Sequence, residues 1–220
     1  MGTLMLAVPS APTFSQKGFS LTEMAVVLVI VALLVGGMLL PISAQQNQRY
    51  TAETESQMKL ALDSVMGFAV IKNRLPCPAN PSLETGVEDC SRMQGTLPWA
   101  DLGINRTDAW GRKFSYRVTD AFKSSFLVNT SGDITIKDGS GTPIATQIPA
   151  IIVSHGINGL GAYVPGVSTP LPAGTGDELE NSDTNAVFVS KTPDPNFDDL
   201  VAWIPPTVLI NRMISAGKLP

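Results

Sequence analysis

Lys17-Gly18-Phe19-Ser20-Leu21-Thr22-Glu23 runs directly into an uncharged stretch, residues 24–40, dominated by Val, Leu, Ile and Ala. With Phe19 and Leu21 in front, the apolar run reaches the ~20 residues that an α-helix needs to cross a hydrocarbon core. A helix satisfies its own backbone groups, which is the condition for residing in lipid. The sequence therefore predicts a transmembrane helix over residues 19–42. Glu23 is the single carboxylate near its start. A charge at mid-membrane costs roughly 2.5–3.5 kcal/mol on insertion scales and less near the interface, so a residue carried there is a functional candidate. The plainer reading makes Glu23 an interfacial anion favoured by the helix macrodipole.

A secretory signal would present a basic segment, a short apolar core of about 7–15 residues and then a small-residue cleavage site. Here a polar, proline-containing leader, residues 1–18, precedes the apolar run, and Pro41-Ile42-Ser43-Ala44 behind it is a poor cleavage site. The Gly18-Phe19 junction instead resembles the cleavage site of type IV prepilins and of the pseudopilins of type II secretion. The resemblance implies that prepilin peptidase, a membrane enzyme, cuts between Gly18 and Phe19. It implies that Phe19 becomes the N-methylated terminus and that Glu23, fifth in the mature chain, serves assembly. It further implies a single-pass protein of the bacterial inner membrane, N-terminus cytoplasmic and C-terminal domain periplasmic. Its partners would be other pilin or pseudopilin subunits, met through the N-terminal helix in a filament. Lys17 is the only basic residue of the leader, a departure from the family pattern, and Met5 would serve as a start as well as Met1.

Beyond the apolar run the helix is expected to continue over residues 43–75. Met58, Ala61, Leu62, Val65, Phe68 and Ala69 recur at helical spacing and form a stripe that must pack on something. Leu75-Pro76-Cys77-Pro78 stops it, because proline lacks the amide hydrogen and restrains the residue before it. Residues 76–220 then form one modest β-rich part. The expected fold class is α+β and pilin-like. A long N-terminal helix packs on a small antiparallel sheet, with a short C-terminal helix.

Cys77 and Cys90 fall on the side of the membrane where disulfides persist, if the N-terminus is cytoplasmic. Twelve residues rich in turn formers separate them. Closing such a loop removes unfolded-state entropy worth roughly 3 kcal/mol, so a disulfide is the expectation and two free buried thiols the alternative. A structural zinc site needs about four Cys or His ligands. The chain has 2 Cys and 1 His.

Asp108-Ala109-Trp110-Gly111-Arg112-Lys113-Phe114-Ser115-Tyr116-Arg117-Val118 alternates apolar and polar residues after a Trp-Gly turn, as a half-buried hairpin strand does. It resembles the Asp-Pro-Trp-Gly…Tyr signature of pseudopilins, with Ala109 in place of Pro. Residues 126–129, Ile134–Lys137 and Ala150–Ser154 are further strand candidates, with turns at Gly132-Asp133 and Asp138-Gly139. Ser154-His155-Gly156-Ile157-Asn158-Gly159 resembles the Ser-x-Gly-x-Asp-Gly turn of that family, with Asn158 where Asp is common. Residues 205–217 predict a terminal helix with Val208, Leu209, Met213 and Ile214 on one face, Pro206 near its start and Gly217 as its stop.

Asp198-Asp199-Leu200-Val201-Ala202-Trp203 resembles the Asp-Ile-x-x-Trp element of major pseudopilins, where the preceding loop holds a calcium ion. Calcium takes six to eight oxygens. The loop is longer here and no ligand spacing is visible. The acidic cluster 177–183 therefore reads as a solvated loop with a disordered tip, and no cofactor or metal is expected.

A net charge of −4 and pI near 4.9, with no Lys/Arg cluster, argue against a nucleic-acid surface. His155 is the only histidine and sits in a Gly-rich turn. A Ser-His-Asp arrangement would have to use it, and there is no nucleophile elbow, so the chain reads as no enzyme. Two functions remain. The favoured one is a structural subunit, minor pilin or pseudopilin, of a type IV pilus or type II secretion filament. The other is a membrane-tethered periplasmic binding protein or enzyme whose N-terminus mimics the motif. The Pro-Cys-Pro…Cys insertion is unlike major subunits of either kind, which favours a minor one.

Overall fold

The computed structural model describes residues 18–220, with the backbone alone described at 37–44. Residues 1–17 of the expected leader lie outside the described residues. The elements in chain order are α1 (Leu21–Lys72), β1 (Gln94–Thr96), α2 (Trp99–Leu102), β2 (Ser115–Val118), a 3-10 turn (Asp120–Phe122), β3 (Ile134–Lys137), β4 (Pro143–Ile148), β5 (Ala150–Ser154), α3 (Asp177–Ser182), β6 (Val187–Val189), β7 (Leu200–Trp203) and α4 (Pro206–Ser215). The chain divides into two compact units, Met1–Gln45 and Gln46–Pro220.

In the first unit the helix begins behind Gly18 and Phe19, and every side chain from Gly18 to Gly36 is exposed. Among the described residues no helix is long and apolar enough to cross a membrane. Side chains 37–44, which include the end of the apolar run, fall outside that description.

The second unit has three layers. The middle one is a sheet in the order β1-β2-β5-β7, antiparallel throughout. Alternation along a strand sends successive side chains to opposite faces. Tyr116 and Val118 of β2, Ala150 and Ile152 of β5, and Leu200 and Ala202 of β7 face a helical layer. That layer is the stripe Met58, Ala61, Val65 and Ala69 of α1, together with Leu209 and Met213 of α4. Ile151 and Val153 of β5 and Val201 and Trp203 of β7 face a second sheet instead, β4-β3-β6, contributing Ile134, Ile136, Ile148 and Phe188. β5 is thus buried on both faces, which is why its sequence, Ala150-Ile151-Ile152-Val153, is uniformly apolar.

Several expectations need correcting. Residues 126–129 form no strand. Phe126 packs on Phe122, centroids 4.8 Å apart, and the chain turns as Thr130 N donates to Leu127 O. Only one of its apolar residues is buried, so no alternating face exists to pair. The strand expected across 108–118 is confined to Ser115–Val118, because Asp108 folds the preceding residues into a turn. The strand beside it is β1, upstream, rather than a hairpin neighbour. The helix stops at Lys72, before the proline pair, with Asn73 at φ 59 and its amide donating to Ala69 O. In α4, Leu209 and Met213 are buried while Val208 and Ile214 are 46% and 43% exposed, so its buried face is narrower than the expected one. The acidic stretch 177–183 is not a solvated loop: Asp177–Ser182 is helical, and Glu178 and Asn181 are buried.

Candidate functional site

At the start of α1, Ser20 and Glu23 cap the helix reciprocally. Glu23 N donates to Ser20 Oγ at 3.2 Å, and Ser20 N donates to Glu23 Oε2 at 2.8 Å. This capping box satisfies two of the donors that a helix start leaves unpaired. Phe19, Thr22, Glu23, Val26 and Val27 border one open groove along the same side of the helix. The carboxylate of Glu23 and the residue expected to become the mature terminus therefore share a face. Sequence reasoning passed over Ser20, although Ser-x-x-Glu ahead of an apolar run is the signal for such a box.

Residues 13–39 match the Prokaryotic N-terminal methylation motif. The chain carries a prepilin-type methylation motif. The matched segment contains Gly18, Phe19, Glu23 and most of the apolar run. No curated protein and no solved structure matches the chain. The motif is consistent with the type IV pilin and pseudopilin family and leaves the rest of the chain to be read from its geometry.

Behind the motif-bearing helix, Cys77 and Cys90 are joined by a disulfide, with Cα atoms 5.0 Å apart. Glu88 braces its near end. It receives both terminal nitrogens of Arg74, at 2.8 and 2.6 Å, and the amide of Cys77 at 2.9 Å. The hydrogen bond from Arg74 holds the Glu88 carboxyl below its ordinary range against the opposing effect of burial. Glu84 braces the middle of the loop between the two cysteines, pairing with Arg106 and accepting from Lys113 Nζ at 2.7 Å. Lys113 is itself buried and donates to Pro81 O at 3.1 Å. Its pKa is lowered, first by burial and then by the charge of Arg106.

The two pseudopilin-like turns meet in the second unit. Asp108 accepts amides of Trp110 and Arg112 at 3.0 and 2.9 Å and the hydroxyl of Ser154 at 2.6 Å. Arg112 reaches across to the carbonyls of Gly156 and Ile157, at 2.5 and 2.7 Å. Next to them, His155 Nε2 lies 2.8 Å from Ser115 Oγ, and its Nδ1 lies 3.7 Å from Asp199 Oδ1. Serine, histidine and aspartate thus stand in the order a nucleophilic triad needs. The gap beside Ser115, bordered by Gln94, Tyr116, Arg117, Ile151, Val153 and Phe188, has no room for a water molecule.

On the far side of Asp199, three carboxylates converge. Glu178 of α3, Asp198 and Asp199 each place a ligand oxygen within 4.8 Å of the other two. Asn158 donates to Glu178 Oε1 at 2.7 Å and, through its amide, to Asp198 Oδ2 at 2.9 Å. Asn181 donates to Asp199 Oδ2 at 2.9 Å. Among the described residues, Asp198 Oδ1 and Asp199 Oδ1 are buried without a hydrogen-bond partner. Burial raises the Asp198 pKa, and the charges of Glu178 and Asp199 push it the same way. Three crowded carboxylates and the orphaned Oδ1 of Asp198 fit the calcium that the resemblance implies near Asp198, while Oδ1 of Asp199 lies towards His155. Glu178, Asp198 and Asp199 are the residues that would hold it. The sequence did not reveal this because Glu178 is brought in from a distant helix.

Proposed function

We propose that the protein is a minor structural subunit, pilin or pseudopilin, of a type IV pilus or a type II secretion filament. Prepilin peptidase removes residues 1–18, Phe19 is N-methylated, and residues 19–42 anchor the chain in the inner membrane with the remainder periplasmic. The observation that carries this reading is the methylation motif at residues 13–39. The uninterrupted exposure of its apolar helix supports it. Val26 to Val35 present large aliphatic side chains with nothing in the described chain to cover them. A surface of that kind belongs in lipid or against like helices.

The mechanism follows from charge. Cleavage turns Phe19 into a cation at the head of an apolar helix, where an unpaired charge is costly. Glu23 stands on the same face. In a bundle of such helices, Glu23 of one subunit neutralises the amine of its neighbour, which lowers the cost of withdrawing both from the interface. No catalytic role is assigned to the chain. Mapping the N-terminus of membrane-extracted protein by intact mass tests the proposal. A terminus beyond residue 40, or an uncut chain in cells that hold the peptidase, would refute it.

A further inference from the structure

The two sheets of the second unit have four edges, β1 and β7 of one and β4 and β6 of the other. An unpaired edge is a template for another chain, and folded proteins normally cover or blunt it. Three of these edges are treated in that way. The chain at Ala79 closes on β1, with Ala79 N donating to Thr96 O at 2.8 Å and Thr96 N to Ala79 O at 3.1 Å. Side chains cap β6: Val189 exchanges hydrogen bonds with Asn181 at 2.7 and 3.0 Å, and Val187 N donates to Asn185 Oδ1 at 2.6 Å. β4 opens with Pro143, which has no donor, and its pairing with β3 shifts register twice. β7 has none of these devices. Leu200–Trp203 holds no proline and no charge, and pairs with β5 in unbroken register.

The register also fixes which groups β7 leaves free. Ile204 N donates to Ala150 O at 3.0 Å, so in this antiparallel pair Ala202, opposite Ile152, and Leu200, opposite Ser154, turn their N–H and C=O towards β5. Val201 and Trp203 turn theirs outward, and among the described residues nothing bonds to them. A groove of about 420 Å³ lies along β7 against α1, lined in part by Met58, Lys59, Leu62, Leu200, Val201 and Ala202.

We propose that β7 is a strand-addition site, which takes an extended segment of a different polypeptide as an antiparallel fifth strand of the β1-β2-β5-β7 sheet. The free groups define the occupant. A helix keeps its backbone bonds to itself, whereas an extended chain presents N–H and C=O at alternate residues, as Val201 and Trp203 require. The two occupant residues opposite Val201 and Trp203 supply those groups, so neither is proline. The residue between them lies opposite Ala202 and shares its face. Its side chain therefore enters the groove beside Met58, Leu62 and Leu200, which calls for an aliphatic group. A second copy of the chain fits poorly. Its β1 and β6 edges are covered and its β4 lacks a donor at the head. Its β7, related by a twofold axis across an antiparallel seam, brings a second α1 to the same face of the sheet, over the same groove.

The test has two arms, both on the full-length protein. In detergent-extracted protein, residue-resolved hydrogen exchange should find the amides of Leu200 and Ala202 protected and those of Val201 and Trp203 open. Equal protection of all four would overturn the proposal. In intact cells, a photoreactive benzoylphenylalanine replaces Lys59, which is exposed and makes no ion pair among the described residues. Irradiation should join it to an extended, proline-free segment of another polypeptide with an aliphatic residue in register, located by mass mapping. Val201→Pro spares the β5 ladder, because the amide it removes faces outward, and proline is tolerated on such an edge. It should lower the cross-link yield about tenfold, the equivalent of one hydrogen bond. Should that variant not fold, Trp203→Pro carries the same comparison. No cross-link, a cross-link to a helical segment or to a second copy of this chain, or a yield that proline leaves unchanged would each overturn the proposal. None of these readouts depends on cleavage after Gly18, so failure here is separable from failure of the filament reading.

Discussion

Ser154 donates a 2.6 Å hydrogen bond to Asp108, and both residues are almost wholly buried. The bond joins the Trp110-Gly111 turn to the end of β5, two segments that are far apart in sequence. Asp108 accepts three hydrogen bonds in all, two from backbone amides of its own turn. It therefore shapes the turn and fastens it at the same time.

Replacing that carboxylate should be severe. Asp108→Ala leaves two amides and one hydroxyl buried without acceptors, and each such group costs about 1–3 kcal/mol. A loss of about 3–5 kcal/mol is expected, read from urea unfolding monitored by tryptophan fluorescence. Ser154→Ala should cost less, about 1–2 kcal/mol, because the backbone part of the turn survives. Equal costs would show that the link to β5, rather than the turn, is what Asp108 supplies.

Mature protein should begin at N-methylated Phe19. Intact-mass analysis of membrane-extracted protein reads the cleavage and the methyl group together. Gly18→Leu should leave the chain uncut, since the proposed scissile bond lies directly behind this glycine.

Glu23 caps α1 locally and, in the proposed filament, would also meet the amine of a neighbour. Glu23→Gln keeps a side chain able to complete the capping box but removes the charge. Glu23→Ala removes both. If charge neutralisation drives assembly, both variants should be cut normally and fail to enter sheared filaments, because an uncompensated buried charge costs about 3–5 kcal/mol. Assembly of Glu23→Gln at wild-type level would leave Glu23 with the cap alone.

The disulfide loop should be worth about 2–5 kcal/mol, measured on the Cys77→Ser, Cys90→Ser double variant in urea. Glu88 adds a dependence on pH. Its folded-state pKa is depressed below 4.5, chiefly by Arg74, so its contribution is fully present above that value. It is lost as pH falls from about 4.5 through the depressed folded value. Glu88→Gln should therefore flatten the acid limb of the stability profile while changing its shape near neutrality little. An unchanged acid limb would assign that loss to other carboxylates.

The legible parts of the sequence were those governed by local rules. The stripe from Met58 to Ala69 declared itself by periodicity, and Ile134–Lys137 and Ala150–Ser154 by their β-branched runs between turns. Pro206 and Gly217 framed α4. What stayed hidden depends on long-range company. β1 and β6 are three residues each and exist only because β2 and β3 offer edges to them. β4 is largely exposed, so no alternating burial marks it. The carboxylate cluster had the same difficulty. Asp198 and Asp199 were visible as a pair, but Glu178 looked like one more acid in a polar loop until α3 turned it inward.

The order in which the second unit can close follows from the packing of α1 and α4. The helix stripe that half the core rests on lies earliest in the chain, and the disulfide spans a sequence separation of only 13. Both can form early, because short loops cost least entropy to close. The central sheet waits for β7, which joins Ile151 to Trp203, and the helical layer waits further for Leu209 and Met213. In the proposed orientation, with the N-terminus cytoplasmic, the segments just behind the membrane anchor would emerge first, as an oxidised but unfinished body. A chain halted before α4 would leave the apolar stripe of α1 without Leu209 and Met213 to cover it.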